Sequence, residues 1–239
     1  MKASALEFRL RFFIHAVIYV LGFTAPWNYL LHLDNGIGPR QLIAAWLTHH
    51  LSLGFATASS AVTVIALLFA IGGAALRTWG TAYLSASVMK DGTMHGDSVV
   101  ADGPYRYLRN PLYLGTWLHS VALAMLMPPS GAIFSLVVIG IVQVRLIGGE
   151  EAFLTERLGA AYLAYQAAVP RFFPSLRPRV ASSGARPSWG SAFVAEIYMW
   201  GVVISYAVVG WRYNAILVIQ GVIISLGVSL VARAFLPKK

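Results

Sequence analysis

Long apolar runs fill most of the chain and are interrupted by short polar stretches. A helix needs about 20 mostly apolar residues to cross a bilayer. Runs at 12–33, 52–76, 112–128, 131–147, 191–210 and 215–236 approach or exceed that length. The pattern therefore predicts an all-α, polytopic membrane bundle of about six transmembrane helices. The third and fourth runs are short and divided by Pro128-Pro129, which predicts a tight helical hairpin, because proline does not continue a helix from its interior. Gln41 to Leu51, with His49 and His50, reads either as an interfacial helix or as an extension of the second span.

The polar stretches set the organisation between the runs. Residues 85–110 are rich in Gly, Asp and Ser and predict an ordered loop. Within it Asp102-Gly103-Pro104 marks a turn, preceded by a Ser98-Val99-Val100 run suited to extended backbone. Gly148-Gly149 is expected to break the helix after the fourth run, with Glu150-Glu151 opening another. In that next helix Leu154, Leu158, Ala161, Tyr162 and Tyr165 recur at helical spacing, and Pro170 ends it. Residues 174–190 read as a basic, flexible linker to a last pair of helices. We divide the chain into a core, 1–185, with its motif region at 98–176, and a C-terminal linker and helical hairpin, 186–239. No internal repeat is evident.

Composition agrees with a membrane protein: 58% hydrophobic, 11% charged, mean hydropathy +0.68. If the N-terminus is cytoplasmic, 16 of the 18 Lys and Arg residues fall on that side and only Arg40 and Arg212 lie opposite. The positive-inside rule then places both termini in the cytoplasm. The net charge of +9 becomes a topology signal with attraction to anionic lipid, and no basic run interleaved with aromatics suggests nucleic acid. The first run is too long for a signal-peptide core and reads as a retained anchor. The chain has no cysteine, which removes disulfides, thiolate metal sites and a cysteine nucleophile. The histidines lack zinc-type spacing, so no metal is expected.

Candidate chemistry concentrates in Gly103 to Gly115, GPYRYLRNPLYLG, and in Glu150-Glu151 one hydrophobic hairpin later. Each residue here has an ordinary reading. Arg106 and Arg109 suit positive-inside anchors, and Tyr105, Tyr107 and Tyr113 an interfacial aromatic belt. Asn110-Pro111 suits a helix N-cap followed by proline at the first position. Glu150 and Glu151 suit the positive end of a helix dipole, or a membrane-edge site for a cation or hydroxyl groups. Arg145 suits snorkelling, pairing with Glu150, or holding an anionic substrate group. Crowding of so many polar groups at one membrane level points beyond anchoring.

The run SVVADGPYRYLRNPLYLG, the hairpin, and GGEEAFLTERLGAAYLAYQAAVPRFFP together resemble the isoprenylcysteine carboxyl methyltransferase and phospholipid methyltransferase superfamily over about 70–176. Those are integral membrane enzymes that use S-adenosyl-L-methionine. The family's Arg-His-Pro-x-Tyr stands here as Arg109-Asn110-Pro111-Leu112-Tyr113, so no imidazole is available at 110. The resemblance implies that Ser98, Val99, Val100, Tyr105, Asn110, Pro111, Leu112, Tyr113, Glu150 and Glu151 bind the cofactor. It implies catalytic roles for Arg109, Asn110, Tyr113 and Glu150, and a substrate contact for Arg145, one position off the family's arginine. The expected acceptor is a lipid, or a lipidated or small hydrophobic molecule, entering from the bilayer of a bacterial inner membrane. A phospholipid amine N-methyltransferase is the alternative acceptor class. An NADPH-dependent sterol-type reductase and a transporter are the competing readings from other classes.

Overall fold

The computed structural model describes residues 2–33, 36–84, 99–212 and 214–234, all helix and connecting segments. Its helices are α1 (Ala5–Arg9), α2 (Arg11–Thr24), α3 (Pro26–Leu31), α4 (Pro39–Leu51), α5 (Phe55–Tyr83), α6 (Pro111–Ala124), α7 (Pro129–Leu158), α8 (Ala160–Ala168), α9 (Trp189–Ala195), α10 (Ile197–Val209) and α11 (Ala215–Ala234). Short 3₁₀ turns cover Gly103–Arg106 and Gly210–Arg212.

Among the described residues four helical segments are long and apolar enough to cross a membrane: Arg11–Leu31, Phe55–Tyr83, Pro129–Leu158 and Ala215–Ala232. The pair α9–α10 makes a fifth if it is taken as one span bent by 67°. The expected six thus become four or five. The difference lies in α6, whose 14 residues rise only about 21 Å against a hydrocarbon core of about 30 Å. Pro111 starts α6 and Pro128-Pro129 close the turn into α7, so the expected hairpin forms. The segment 41–51 lies within a separate helix, α4, which does not continue into the second span.

Two further expectations change. Gly148-Gly149 do not break the chain, because α7 runs unbroken through Glu150 and Glu151 to Leu158. A glycine inside a helix costs about 1 kcal/mol relative to alanine. Gly149 has a packing reason to be there: a Cβ would stand 3.0 Å from the Ala3 carbonyl oxygen, and the Ala3 amide donates to the Arg145 carbonyl at 2.9 Å. The bare helix surface lets the N-terminal segment lie against α7. The acidic pair is therefore not at a helix N-terminus, and the dipole reading fails.

The stretch 174–188 is not a loose linker but a strap tied to the first motif. The Ser175 amide donates to the Tyr107 carbonyl at 2.9 Å, the Arg179 amide to that of Arg106 at 2.8 Å, and the Ser188 amide to that of Ala82 at 2.8 Å. The Arg106 guanidinium donates to the Val180 carbonyl at 2.9 Å. The Asp102 carboxylate accepts from the Ser182 hydroxyl at 2.5 Å, from the Ser183 amide at 3.0 Å and from the Ser183 hydroxyl.

The core lies between α5, α6 and α10. Small residues let the first two approach: a Cβ on Gly73 would fall 2.7 Å from the Gly115 carbonyl oxygen, and one on Gly115 2.6 Å from Arg77 Cγ. Such small-on-small crossings gain close backbone packing in lipid, where burial from water contributes little. The C-terminal helices join the same core. Tyr206 donates to the Ala122 carbonyl at 2.5 Å and the Trp200 indole to Thr78 Oγ1 at 2.9 Å.

Candidate active site

A cavity of about 510 Å³ opens among α1–α2, α5, the 99–113 segment, α6, α7–α8 and the start of α10. Among its lining residues are Val99, Val100, Tyr105, Arg109, Asn110, Pro111, Leu112, Tyr113, Glu150 and Glu151. Most of the site residues expected from the sequence thus share one space. Ser98 lies outside the described residues. Arg145 does not line the cavity: its guanidinium grips Glu7 with Nη2 to Oε1 at 2.8 Å and Nε to Oε1 at 3.1 Å. Pairing of Arg145 with Glu150 is replaced by this bond to Glu7 of α1, whose N-terminus is closed by a capping box from Ser4 and Glu7.

The two glutamates serve different neighbours. Adjacent helical positions point about 100° apart. Glu150 Oε2 accepts from the Tyr113 hydroxyl at 3.1 Å. Glu151 is 3% exposed and held by cations: Arg109 Nε lies 3.3 Å from Oε1, and Arg171 pairs with Oε2. Asn110 Nδ2 lies 3.4 Å from Glu151 Oε1 and 3.2 Å from the Arg171 carbonyl. Asn110 is the N-cap residue of α6, but its side chain makes no capping bond. It ties α6 to α7 and to the segment after α8 instead. Arg109 completes that tie through its amide to the Pro170 carbonyl and its guanidinium to the Gln166 carbonyl, each at 2.9 Å.

Tyrosines form the wall toward α8. Tyr165 donates to the Tyr105 carbonyl at 2.8 Å, and the rings of Tyr162 and Tyr165 sit 5.8 Å apart. The Tyr105 hydroxyl is buried with no hydrogen-bond partner among the described residues. Burial pushes the Tyr105 phenol well above its ordinary range, and the charge of Glu150 adds to the effect. The same burial raises Tyr162 and Tyr165. All three are neutral donors at physiological pH.

Farther along α6 the lining changes character. His15, Tyr19, Arg77, Thr116, His119, Glu196, Tyr198 and Met199 surround the inner part. Arg77 meets Glu196 bidentately, Nε to Oε2 at 2.7 Å and Nη2 to Oε1 at 2.8 Å, and donates to Thr116 Oγ1 at 2.8 Å. Thr81 adds a bond to Glu196 Oε1 at 2.9 Å. The sequence counts Arg77 among the 16 cytoplasmic-side charges that set topology, and none of the residues expected at the site lies in the last helices. A glutamate in an apolar C-terminal region is the signal that pointed here, since a membrane acid calls for a partner.

Residues 61–161 match the family model for phospholipid methyltransferase. The resemblance to the isoprenylcysteine and phospholipid methyltransferase superfamily is borne out over that segment. No match was found among curated proteins or among solved structures. The matched segment spans most of α5, all of α6 and α7, and so contains most of the cavity wall.

Proposed function

We propose that the cavity binds S-adenosyl-L-methionine beside a hydrophobic or lipidated acceptor, in the manner of an isoprenylcysteine carboxyl methyltransferase. The observation that carries this reading is the convergence of Val99, Val100, Tyr105, residues 110–113, Glu150 and Glu151 on one cavity of a size suited to a small ligand. The Tyr105 hydroxyl, without a partner among the described residues, and the Glu150 carboxylate fit the cofactor's chemistry, since it carries a sulfonium, an ammonium and hydroxyl groups. When bound, the cofactor supplies a methyl group already activated by sulfonium.

The protein's part is then alignment and exclusion of water. Glu150, oriented by Tyr113, binds the ammonium or the ribose hydroxyls. Tyr105 donates its hydroxyl, while Tyr162 and Tyr165 present ring faces to adenine or to the sulfonium. Glu151, Arg109 and Arg171 form a clamp of paired charges that, with Asn110, fixes the mouth of α6. Arg109 and Asn110 thereby act on the reaction through position. The acceptor enters from the bilayer of a bacterial inner membrane; with α6 as a short crossing and α9–α10 as a bent one the crossings number six and both termini are cytoplasmic. The family description, phospholipid methyltransferase, also favours a second reading, in which the acceptor is a phospholipid amine.

Calorimetry tests the cofactor site. Glu150→Ala and Asn110→Ala each weaken S-adenosyl-L-methionine binding about tenfold, or about 1.4 kcal/mol, while the protein stays folded. Unchanged affinity in both variants overturns the assignment. Thermal stabilisation by S-adenosylhomocysteine and not by NADPH separates a methyltransferase from a reductase.

A further inference from the structure

His119 lies on α6 about two turns beyond Tyr113, faces the inner cavity, and is 1% exposed. Neither ring nitrogen has a hydrogen-bond partner among the described residues. Its ring meets Tyr198 edge-on, with centroids 5.4 Å apart.

Leaving a buried polar group unpaired is costly, so a ring placed this way needs a ligand to justify it. Several neighbouring polar groups are already engaged. Tyr19 and Ser120 share a bond of 2.7 Å, the Ser120 hydroxyl also donates to the Thr116 carbonyl at 2.7 Å, and His15 Nδ1 lies 2.6 Å from the Arg11 carbonyl. Arg77 and Glu196 neutralise each other. The inner cavity therefore offers a neutral imidazole with unpartnered nitrogens in a wall whose other charges are matched.

We propose that His119 is the proton acceptor for the nucleophilic group of the methyl acceptor, which binds in the inner cavity between α2, α6 and α10. This rests on the methyltransferase reading above, with an amine as the acceptor. An acceptor arriving as an ammonium gives its proton to an imidazole nitrogen, which becomes imidazolium. The freed nitrogen lone pair forms the new N–CH₃ bond, the S–CH₃ bond breaks, and its electron pair stays on sulfur, leaving a neutral thioether. The imidazolium returns its proton to water as product leaves.

The test uses the full-length protein in vesicles of phosphatidylethanolamine and phosphatidylglycerol, with methyl-labelled S-adenosyl-L-methionine. His119→Phe keeps the ring's shape and removes its nitrogens, and His119→Gln keeps a polar group that takes no proton. Both are expected to lower lipid labelling at least about 100-fold. S-adenosylhomocysteine affinity stays unchanged in both, and the melting temperature of His119→Phe equals or exceeds that of the wild type. The wild-type rate falls at acid pH as the imidazole protonates, and that limb is lost in His119→Gln. The groups facing this ring are His15 and Tyr19 from α2, Arg77 from α5, and Glu196 and Tyr198 at the start of α10. Persistence of the acid limb in both variants therefore assigns it to one of them and overturns the proposal. A destabilised His119→Phe makes the role structural and also overturns it, as does a wild type that binds S-adenosylhomocysteine but labels no lipid. Failure of the wild type to bind S-adenosylhomocysteine strikes the methyltransferase reading itself.

Discussion

Glu196 is 1% exposed and holds Arg77 with two short bonds. Removing one member of a buried pair leaves the other charge without compensation, which costs about 3–5 kcal/mol. Glu196→Gln is therefore expected to lower the melting temperature sharply, and Arg77→Met combined with Glu196→Met to recover much of the loss. Thermal unfolding in detergent checks both. The individual motif residues were legible in the sequence, because polar groups at a membrane helix mouth stand out against apolar surroundings. Their partners were not. Nothing in the spacing says that Arg145 reaches Glu7 or that Arg77 reaches Glu196, 119 positions away, since long-range pairing depends on how helices cross. Asn110 shows the same limit, with a capping position legible and a different bonding partner observed.

At the scale of elements, the strap is the main departure from expectation. Its Ser and Gly content suggests a flexible linker, yet the backbone of 175–188 finds partners on the first motif and on α5. Hydrogen bonds from Ser182 and Ser183 hold the Asp102 carboxyl below its ordinary value. A depressed carboxylate contributes stability above its unfolded pKa of about 3.9, and that contribution is lost as pH falls through the lower folded value. Amide exchange at Ser183, corrected for intrinsic rate, is expected to stay slow from neutral pH to about pH 4 and to quicken below it. Asp102→Asn loosens the strap at neutral pH, read as faster tryptic cleavage after Arg179. The α5–α6 crossing makes a sharper demand. Gly115→Val drives a side chain into Arg77 and the Gly73 carbonyl, and overpacking of this kind costs about 1–3 kcal/mol, measured as a lower melting temperature.

For the whole molecule, hydropathy found the apolar segments but not how many are full spans, because α6 is short and α9–α10 is bent. Residues of α10 and α11 share a core cluster with α5 and α6. The cavity draws its wall from Phe8 to Met199, so no short contiguous piece of the chain contains it. Biosynthesis must contend with this dispersal. A chain enters the membrane from its N-terminus, so Arg77 arrives long before Glu196 and sits in the bundle with its charge unmatched until the last helices follow. In a chain that ends before 196 the Arg77 guanidinium lacks its carboxylate and keeps, among the described residues, only neutral acceptors, Thr116 Oγ1 and the Leu112 carbonyl.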